Sequence, residues 1–302
     1  MNLPSYRLTG IALATSAVIA FGLRPVLIKI AYSYVQDPIT LIALRMTFSL
    51  PFFLAAAVWS GRGKHARALS ARELLTVFGL GTIGYYLAST LDFLGLQYVT
   101  AGVGRLLLFL YPTIVVILSA AFFKQPFRKR DGLALVVTYA GAALVLSNAL
   151  GGENANLMLG AALVFGSALA YAVYLVIGAE VAQKIGAIRF AAYAVSASCV
   201  CCILQFLALR PLSALDLPGE VYLLAAVIAA VCTVVPIFMT AEALRRIGAN
   251  QVAMIGAAGP VSSIGFGMAI LGETMSAIQL LGAALVIGGV ILATVERKKA
   301  TG

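Results

Sequence analysis

Residues 92–112 read DFLGLQYVTAGVGRLLLFLYP. Two opposite charges, Asp92 and Arg105, stand in a stretch otherwise apolar enough for lipid, and a short polar joint, Gln97 to Thr100, divides it into two apolar runs. In water such charges need no explanation. In hydrocarbon each costs about 2.5–3.5 kcal/mol at the centre of a spanning helix, so a chain that keeps them turns them toward partners, water or a solute. Whether the surrounding chain is embedded in a membrane therefore decides how this stretch is read.

Composition answers that question. Of 302 residues, 62% are hydrophobic and 11% charged, where a soluble domain carries about 25% charged residues. Mean hydropathy is +1.02. A spanning helix needs about 20 mostly apolar residues, and ten runs qualify: 8–31, 39–59, 72–95, 100–123, 131–148, 158–182, 188–208, 219–241, 248–271 and 276–295. Turn signals separate them, as in QDP at 36–38, GGENAN at 151–156 and the Pro- and Gly-bearing stretch 211–219. The expectation is an all-α polytopic membrane protein with ten transmembrane helices.

The net charge of +10 does not point to nucleic acid, because Lys and Arg are gathered in short joints and form no basic domain interleaved with aromatics. Alternate joints carry Arg62, Lys64, Arg67 and Arg72; Lys124, Arg128, Lys129 and Arg130; Lys184 and Arg189; and Arg245 and Arg246, and the C-terminal segment carries Arg297, Lys298 and Lys299. The opposite joints hold Arg210 with Asp37, Glu153, Asp216, Glu220 and Glu273. Cytoplasmic loops hold the Lys and Arg excess, so both termini are expected in the cytoplasm and the chain in the plasma (bacterial inner) membrane. His65 reads as a solvated loop residue. Trp59, Tyr32, Tyr34, Tyr98 and Tyr222 fall near run ends and read as interfacial belt aromatics. Cys199, Cys201, Cys202 and Cys232 lie in apolar runs, as small core or lipid-facing residues and not as a disulfide or metal set. No small-residue cleavage pattern follows the first run, which is expected to stay as a membrane helix.

Chemistry has little support. There is no Walker motif, no His/Cys ligand cluster and no Ser-His-Asp set. Gly79, Gly81 and Gly84 satisfy G-x-G-x-x-G, but in mid-helix with no strand before them, where close helix packing explains glycine better than a dinucleotide. No enzymatic activity, cofactor or metal is expected.

The chain also repeats itself. Shifted by 148 positions, Ala101 meets Ala249, Pro112 meets Pro260, Ala121 meets Ala269 and Gly141 meets Gly289; TGIALATSAVIAFG in the first run is matched by LGAALVFGSALAYA in the sixth. Five helices per half is an odd number, so residues 1–150 and 151–302 enter the membrane from opposite sides, as inverted repeats. The runs AGVGRLLLFLYPTIVVILSAAFF (101–123) and ANQVAMIGAAGPVSSIGFGMAILGE (249–273) resemble those of the EamA-type transporters of the drug/metabolite transporter superfamily, and the resemblance covers nearly the whole chain. It implies ten helices, a central cavity between halves and alternating access for small organic solutes. It does not imply which solute, because the superfamily includes amino-acid and metabolite exporters as well as sugar-phosphate and nucleotide-sugar carriers. The fourth run ends Lys124-Gln125-Pro126, where the ninth ends Gly272-Glu273, so no acidic role carries over there.

Arg24, Arg45, Asp92 and Arg105 are expected in one layer, about 5–10 Å below the outer surface at 1.5 Å per residue. Their counterparts in the second half, Tyr174, Ala253 and Thr240 among them, are uncharged, which suggests that the charges serve a site and not the shared fold. Helical spacing puts Ala101, Gly102, Arg105 and Pro112 on one face, Gly81, Tyr85, Ser89 and Asp92 on a second, and Ser167, Tyr171, Tyr174 and Gly178 on a third. The expected solute-binding residues are Arg24, Arg45, Asp92, Arg105, Ser89, Tyr85, Tyr111, Tyr171 and Tyr174. Lys29 reads as a snorkelling lysine. Against a site stands the reading that Arg24 or Arg45 pairs with Asp37, Asp92 or Glu273 as a lock between helices. Glu242, and Glu180 likewise, is expected to pair on the surface with Arg189, Arg245 or Arg246. Pro112 and Pro260 are the candidate hinge, or else static kinks.

The function expected is secondary transport, as an exporter, of small anionic or zwitterionic metabolites such as amino acids or organic acids. A low-specificity drug efflux system, an uncoupled channel or facilitator and, least of all, a membrane enzyme remain alternatives. The partners expected are a small solute and the bilayer, not nucleic acid, with the chain a monomer or homodimer.

Overall fold

The computed structural model describes residues 3–61, 69–123, 127–150 and 155–294. His65, Glu153, Gln125, Pro126 and the basic residues Arg62, Lys64, Arg67, Lys124, Arg297, Lys298 and Lys299 lie outside those residues. Among the described residues, ten helices are long and apolar enough to cross a membrane: α1 (Tyr6–Tyr32), α2 (Pro38–Gly61), α3 (Ala71–Leu96), α4 (Ala101–Phe123), α5 (Lys129–Ser147), α6 (Asn156–Ile185), α7 (Ala187–Leu209), α8 (Gly219–Gly248), α9 (Met254–Leu271) and α10 (Ala277–Thr294). No strand occurs among the described residues. Only helices can satisfy every backbone group inside hydrocarbon without a closed barrel. The expected runs match the helices closely except between the eighth and ninth, where α8 continues past the expected 241 to Gly248 and α9 begins at Met254 instead of 248.

The packing interlaces the two halves of the chain. α1 lies mainly against α8 and α9, while α6 lies mainly against α3 and α4; α2 pairs with α7, and α5 with α10. The buried layer at the centre is built from Ile28, Leu41, Phe93, Leu96, Leu106 and Leu110 with residues of α6, α7 and α8. Outward positions such as Leu75, Val136 and Leu223 are exposed leucine and valine, as a lipid-facing surface requires. Cys199, Cys202 and Cys232 are buried free thiols.

Four helices are interrupted, and the interruptions fall at matching places. α3 carries a π-helical turn at Thr82–Leu87 and α8 one at Ala230–Val234; Thr82 and Ala230 are 148 positions apart. α4 breaks after Leu108 and resumes at Tyr111, and the helix before Gly256 resumes at Gly259; Tyr111 and Gly259 are again 148 apart. Pro112 and Pro260 thus do not bend a continuous helix, as a proline in mid-span would. Each sits in the first turn of a new segment, where a missing N–H costs nothing and a fixed φ favours the helical start. The π turns carried no sequence signal beyond small residues.

Two of the three glycines of α3, Gly81 and Gly84, behave as packing, whereas a Cβ on Gly79 would meet open space. A Cβ on Gly81 would overlap the backbone of Ala194 in α7, and one on Gly84 would overlap the Tyr174 side chain. Near the helix ends, Trp59, Tyr34 and Tyr98 are exposed, as belt aromatics should be. Tyr32 and Tyr222 differ: their hydroxyls donate to the carbonyls of Phe93 and Leu215, because a phenol turned inward needs an acceptor.

Candidate functional site

The residues that the sequence set apart come together from α1, α2, α3, α4 and α6. Arg24 of α1 donates from Nη2 to Asp92 Oδ2 of α3 at 2.9 Å, with side chains 19% and 6% exposed. This is the interhelical lock that the sequence left open as an alternative, and it holds for this pair. Arg45 of α2 is 2% exposed. Its Nη2 donates to Ser89 Oγ at 3.0 Å, its guanidinium carbon lies 4.9 Å from the centre of the Phe93 ring, and its Nε has no hydrogen-bond partner. Phe93 supplies the negative face of an aromatic ring where, among the described residues, no carboxylate pairs with Arg45.

Arg105 of α4 is the third guanidinium. Its Nε is buried without a partner, and among the described residues it makes neither an ion pair nor a hydrogen bond. Arg24 and Asp92 are within Coulombic range of both Arg45 and Arg105, and Tyr111 and Tyr171 within range of Arg105. Its terminal nitrogen lies against the main chain where α9 resumes: a Cβ on Gly259 would come within 3.3 Å of Nη2. A methyl at 259 would press the guanidinium to give by a few tenths of an ångström.

Beside Arg105 the tyrosines form a continuous aromatic cluster. Tyr111 meets Tyr171 edge-on at 5.1 Å between ring centres, Tyr85 meets Tyr174 edge-on at 5.0 Å, and Tyr171 stacks on Tyr174 at 5.9 Å. Tyr174 in turn stacks on Phe190 of α7 at 5.3 Å. Tyr85 lies within the π turn of α3. The stripe Gly81, Tyr85, Ser89, Asp92 is therefore not one face toward one neighbour: these residues meet α7, α6, α2 and α1 respectively. An extra residue per turn rotates the helix and spreads the stripe around its circumference.

Glu273, placed in an outer loop by the sequence, has a structural role that sequence reasoning missed. Its carboxylate accepts from the backbone N–H of Ala101 at 2.7 Å and of Gly102 at 3.2 Å. It thus caps the start of α4 from across the two halves, beside Thr100, whose Oγ accepts from Val103 N–H. Gly272 at φ +65° closes α9 and turns the chain back so that Glu273 reaches α4. The signal that could have found it was the pairing of Leu-Gly-Glu at the end of α9 with Thr-Ala-Gly at the start of α4, an acid facing a helix N-terminus. At the other end, Glu242 pairs within its own helix with Arg245 and Arg246, as expected for surface pairing. Arg246 also lies over the Tyr6 ring at 4.8 Å.

Comparison with known proteins bears on what this arrangement is for. The model of the EamA-like transporter family matches residues 8–147 and again 158–295. The Bacillus subtilis (strain 168) protein named uncharacterized transporter YcbK is 32% identical over 274 residues, covering 87% of this chain and 86% of its own. The uncharacterized transporter sll1319 of Synechocystis sp. is 22% identical, covering 98% and 96%. A solved crystal structure superposes with a TM-score of 0.65 over 97% of this chain and 99% of the other at 19% identity; at that identity it supports the fold alone.

Proposed function

The chain belongs to the EamA-like transporter family, a multi-pass integral membrane transporter, and from that premise we propose that it exports small organic metabolites bearing an anionic group, anionic or zwitterionic overall, by alternating access. The observation that carries this reading is Arg105, an inward guanidinium without a protein partner among the described residues, set beside a tyrosine cluster. Arginine offers a carboxylate or phosphate two parallel hydrogen bonds. Arg24, held by Asp92, and Arg45, beneath Phe93, keep the surroundings positive. Ser89, Tyr85, Tyr111, Tyr171 and Tyr174 position or pack the solute.

Residues 1–150 and 151–302 act as inverted repeats in this proposal, with the breaks at Pro112 and Pro260 as the hinges. In support, the π turns and the helix breaks recur at the 148-residue spacing, and the family model matches the chain twice. Both termini are cytoplasmic in the plasma membrane, in keeping with the Lys and Arg bias. Export follows the metabolite exporters of the superfamily.

The test is counterflow in proteoliposomes. A carrier shows trans-stimulation and a channel does not. Arg105→Ala should reduce transport at least about tenfold, the loss of about 1.4 kcal/mol of solute stabilisation, while ten-helix folding and detergent behaviour stay unchanged. Wild-type rates in Arg105→Ala would remove the site from this reading.

A further inference from the structure

The helices around Arg105 sort by contact into two groups with a seam between them. α1 packs on α8 and α9, and α6 on α3 and α4, while the α2–α7 and α5–α10 pairs flank them. The groups touch where Ala101–Leu108 of α4 lies on Gly259–Leu271 of α9 and on α1, and where Ala88–Leu96 of α3 lies on α1. These segments all run to one end of the bundle, the end of the α1–α2, α3–α4 and α9–α10 joints, which the Lys and Arg bias puts outside the cell. At the opposite end the groups part. Ala71–Gly81 lies on α6 and α7, Tyr111–Phe123 on α5, α6 and α10, and Val235–Gly256, which ends α8 and opens α9, on α1 and α10. Among the described residues, none of these inner segments packs closely on the other group.

Side chains bridge the seam at its closed end. Arg24 of α1 pairs with Asp92 of α3, Tyr32 of α1 donates to the Phe93 carbonyl, and Glu273, just past α9, takes the amide protons of Ala101 and Gly102 of α4. A Cβ on Gly267 would come within 2.6 Å of Glu273 Oε2, so α9 is glycine where the carboxylate passes on its way to α4. The bridges differ in how readily they let go. The Asp92 side chain is 6% exposed, and breaking its pair strands a buried charge. Glu273 is half-buried at the end of the bundle, where water can replace both the carboxylate and the amide protons, so little is lost when they separate. Arg105 stands at the foot of the seam, its Nη2 beside the Gly259 backbone where the outer segment of α9 begins.

We propose that this arrangement is the outward-closed, inward-open state of the carrier and that Glu273 is the latch of its outer gate. A solute reaches Arg105 from the cytoplasmic end. It leaves outward only when Glu273 releases Ala101 and Gly102, so that α9 and α4 part at the outer end while the inner segments come together. Glu273 touches no solute; it is a positioning residue that holds α4 against α9. The latch serves the site at Arg105 and so rests on the transport reading, but its test uses no solute, and latch and site can fail separately.

Amide hydrogen exchange, read by mass spectrometry on the full chain in lipid nanodiscs, follows both ends of the bundle at once. In the wild type, Tyr111–Phe123 and Val235–Gly256 should exchange faster than Ala101–Leu108 and Gly259–Leu271; the reverse order overturns the state assigned here, and this comparison needs no variant. Glu273→Gln keeps a carbonyl acceptor but loses the charge that strengthens the two bonds. It should quicken exchange severalfold in Ala88–Leu96, Ala101–Leu108 and Gly259–Leu271 together, and slow it in Tyr111–Phe123 and Val235–Gly256. A cap with no gating role would quicken only the first turn of α4, a loosened fold would quicken both ends, and an idle contact would change neither; each of these results overturns the latch. Exchange without opposite signs at the two ends leaves the Arg105 site to the counterflow assay, and wild-type transport by Arg105→Ala removes the site without touching the latch.

Discussion

At the scale of single residues, three guanidiniums of the site, those of Arg24, Arg45 and Arg105, are each treated differently. Arg24 has a carboxylate, Arg45 a hydroxyl and a ring face, and Arg105 neither. Breaking a buried pair by removing one partner leaves a stranded charge and costs roughly 3–5 kcal/mol, whereas replacing both partners by apolar side chains is often neutral. Asp92→Asn should therefore lower the unfolding midpoint sharply. Arg24→Met combined with Asp92→Leu should restore most of the stability without restoring transport, as measured by thermal unfolding and proteoliposome flux on the same preparations. A double variant as unstable as the single one would show that the pair does more than compensate charge. The sequence already singled out all three arginines, since ionised groups in lipid-length runs are conspicuous. Asp92 was among the partners the sequence offered, but which arginine it takes was not legible, because a 19%-exposed Arg24 and a 2%-exposed Arg45 look alike in a string of letters.

At the scale of elements, α3, α4, α8 and α9 are interrupted helices. The prolines announced two of the breaks, at Pro112 and Pro260; nothing announced the π turns at Thr82–Leu87 and Ala230–Val234. A π turn depends on which neighbours compete for a helix's side chains, here Tyr174 against Gly84, and not on local propensity. The start of α4 has a similar lesson. Its exposed amide protons are satisfied by an acid 172 positions away. An N-cap carboxylate contributes about 1–2 kcal/mol, so Glu273→Ala should cost about that much and lower the thermal midpoint. Glu273→Gln should recover part of the loss through its remaining carbonyl oxygen. Equal midpoints for Glu273→Ala and wild type would mean that the cap is idle.

At the scale of the whole molecule, the two halves are packed far more on each other than within themselves, with α1 on α8 and α9 and α6 on α3 and α4. One tie between halves lies outside the spans. Arg210 donates from Nε and Nη2 to Asp37 at 2.8 and 2.9 Å, and Asp37 also accepts from Thr40. Burial alone would raise the Asp37 carboxyl, but the hydrogen bonds from Arg210 and Thr40 and the Arg210 charge outweigh it and hold Asp37 below the ordinary carboxylate value. The same contact raises Arg210. A group whose folded value is depressed contributes stability above its unfolded value and loses it as pH falls through the folded one. Acidification below about pH 4 should thus weaken the wild type, and Asp37→Asn should remove that share of the acid sensitivity while being less stable at neutral pH. Thermal midpoints followed from pH 7 down to 3 for both proteins check this. Parallel curves would mean that the bridge does not hold the halves together.

The amino-acid string alone determined that this is a ten-helix membrane protein, that helices four and nine share a pattern, and that charge persists at unusual places. Those properties follow from hydropathy, length and repetition, which need no knowledge of neighbours. Tertiary structure decided which arginine is matched, which is sealed and which is left open, and where an acid after α9 finds a helix to cap. Such choices depend on what lies across a helix–helix seam, and contact over a gap of 68 residues between Arg24 and Asp92, or 172 between Ala101 and Glu273, is written only in the folded arrangement.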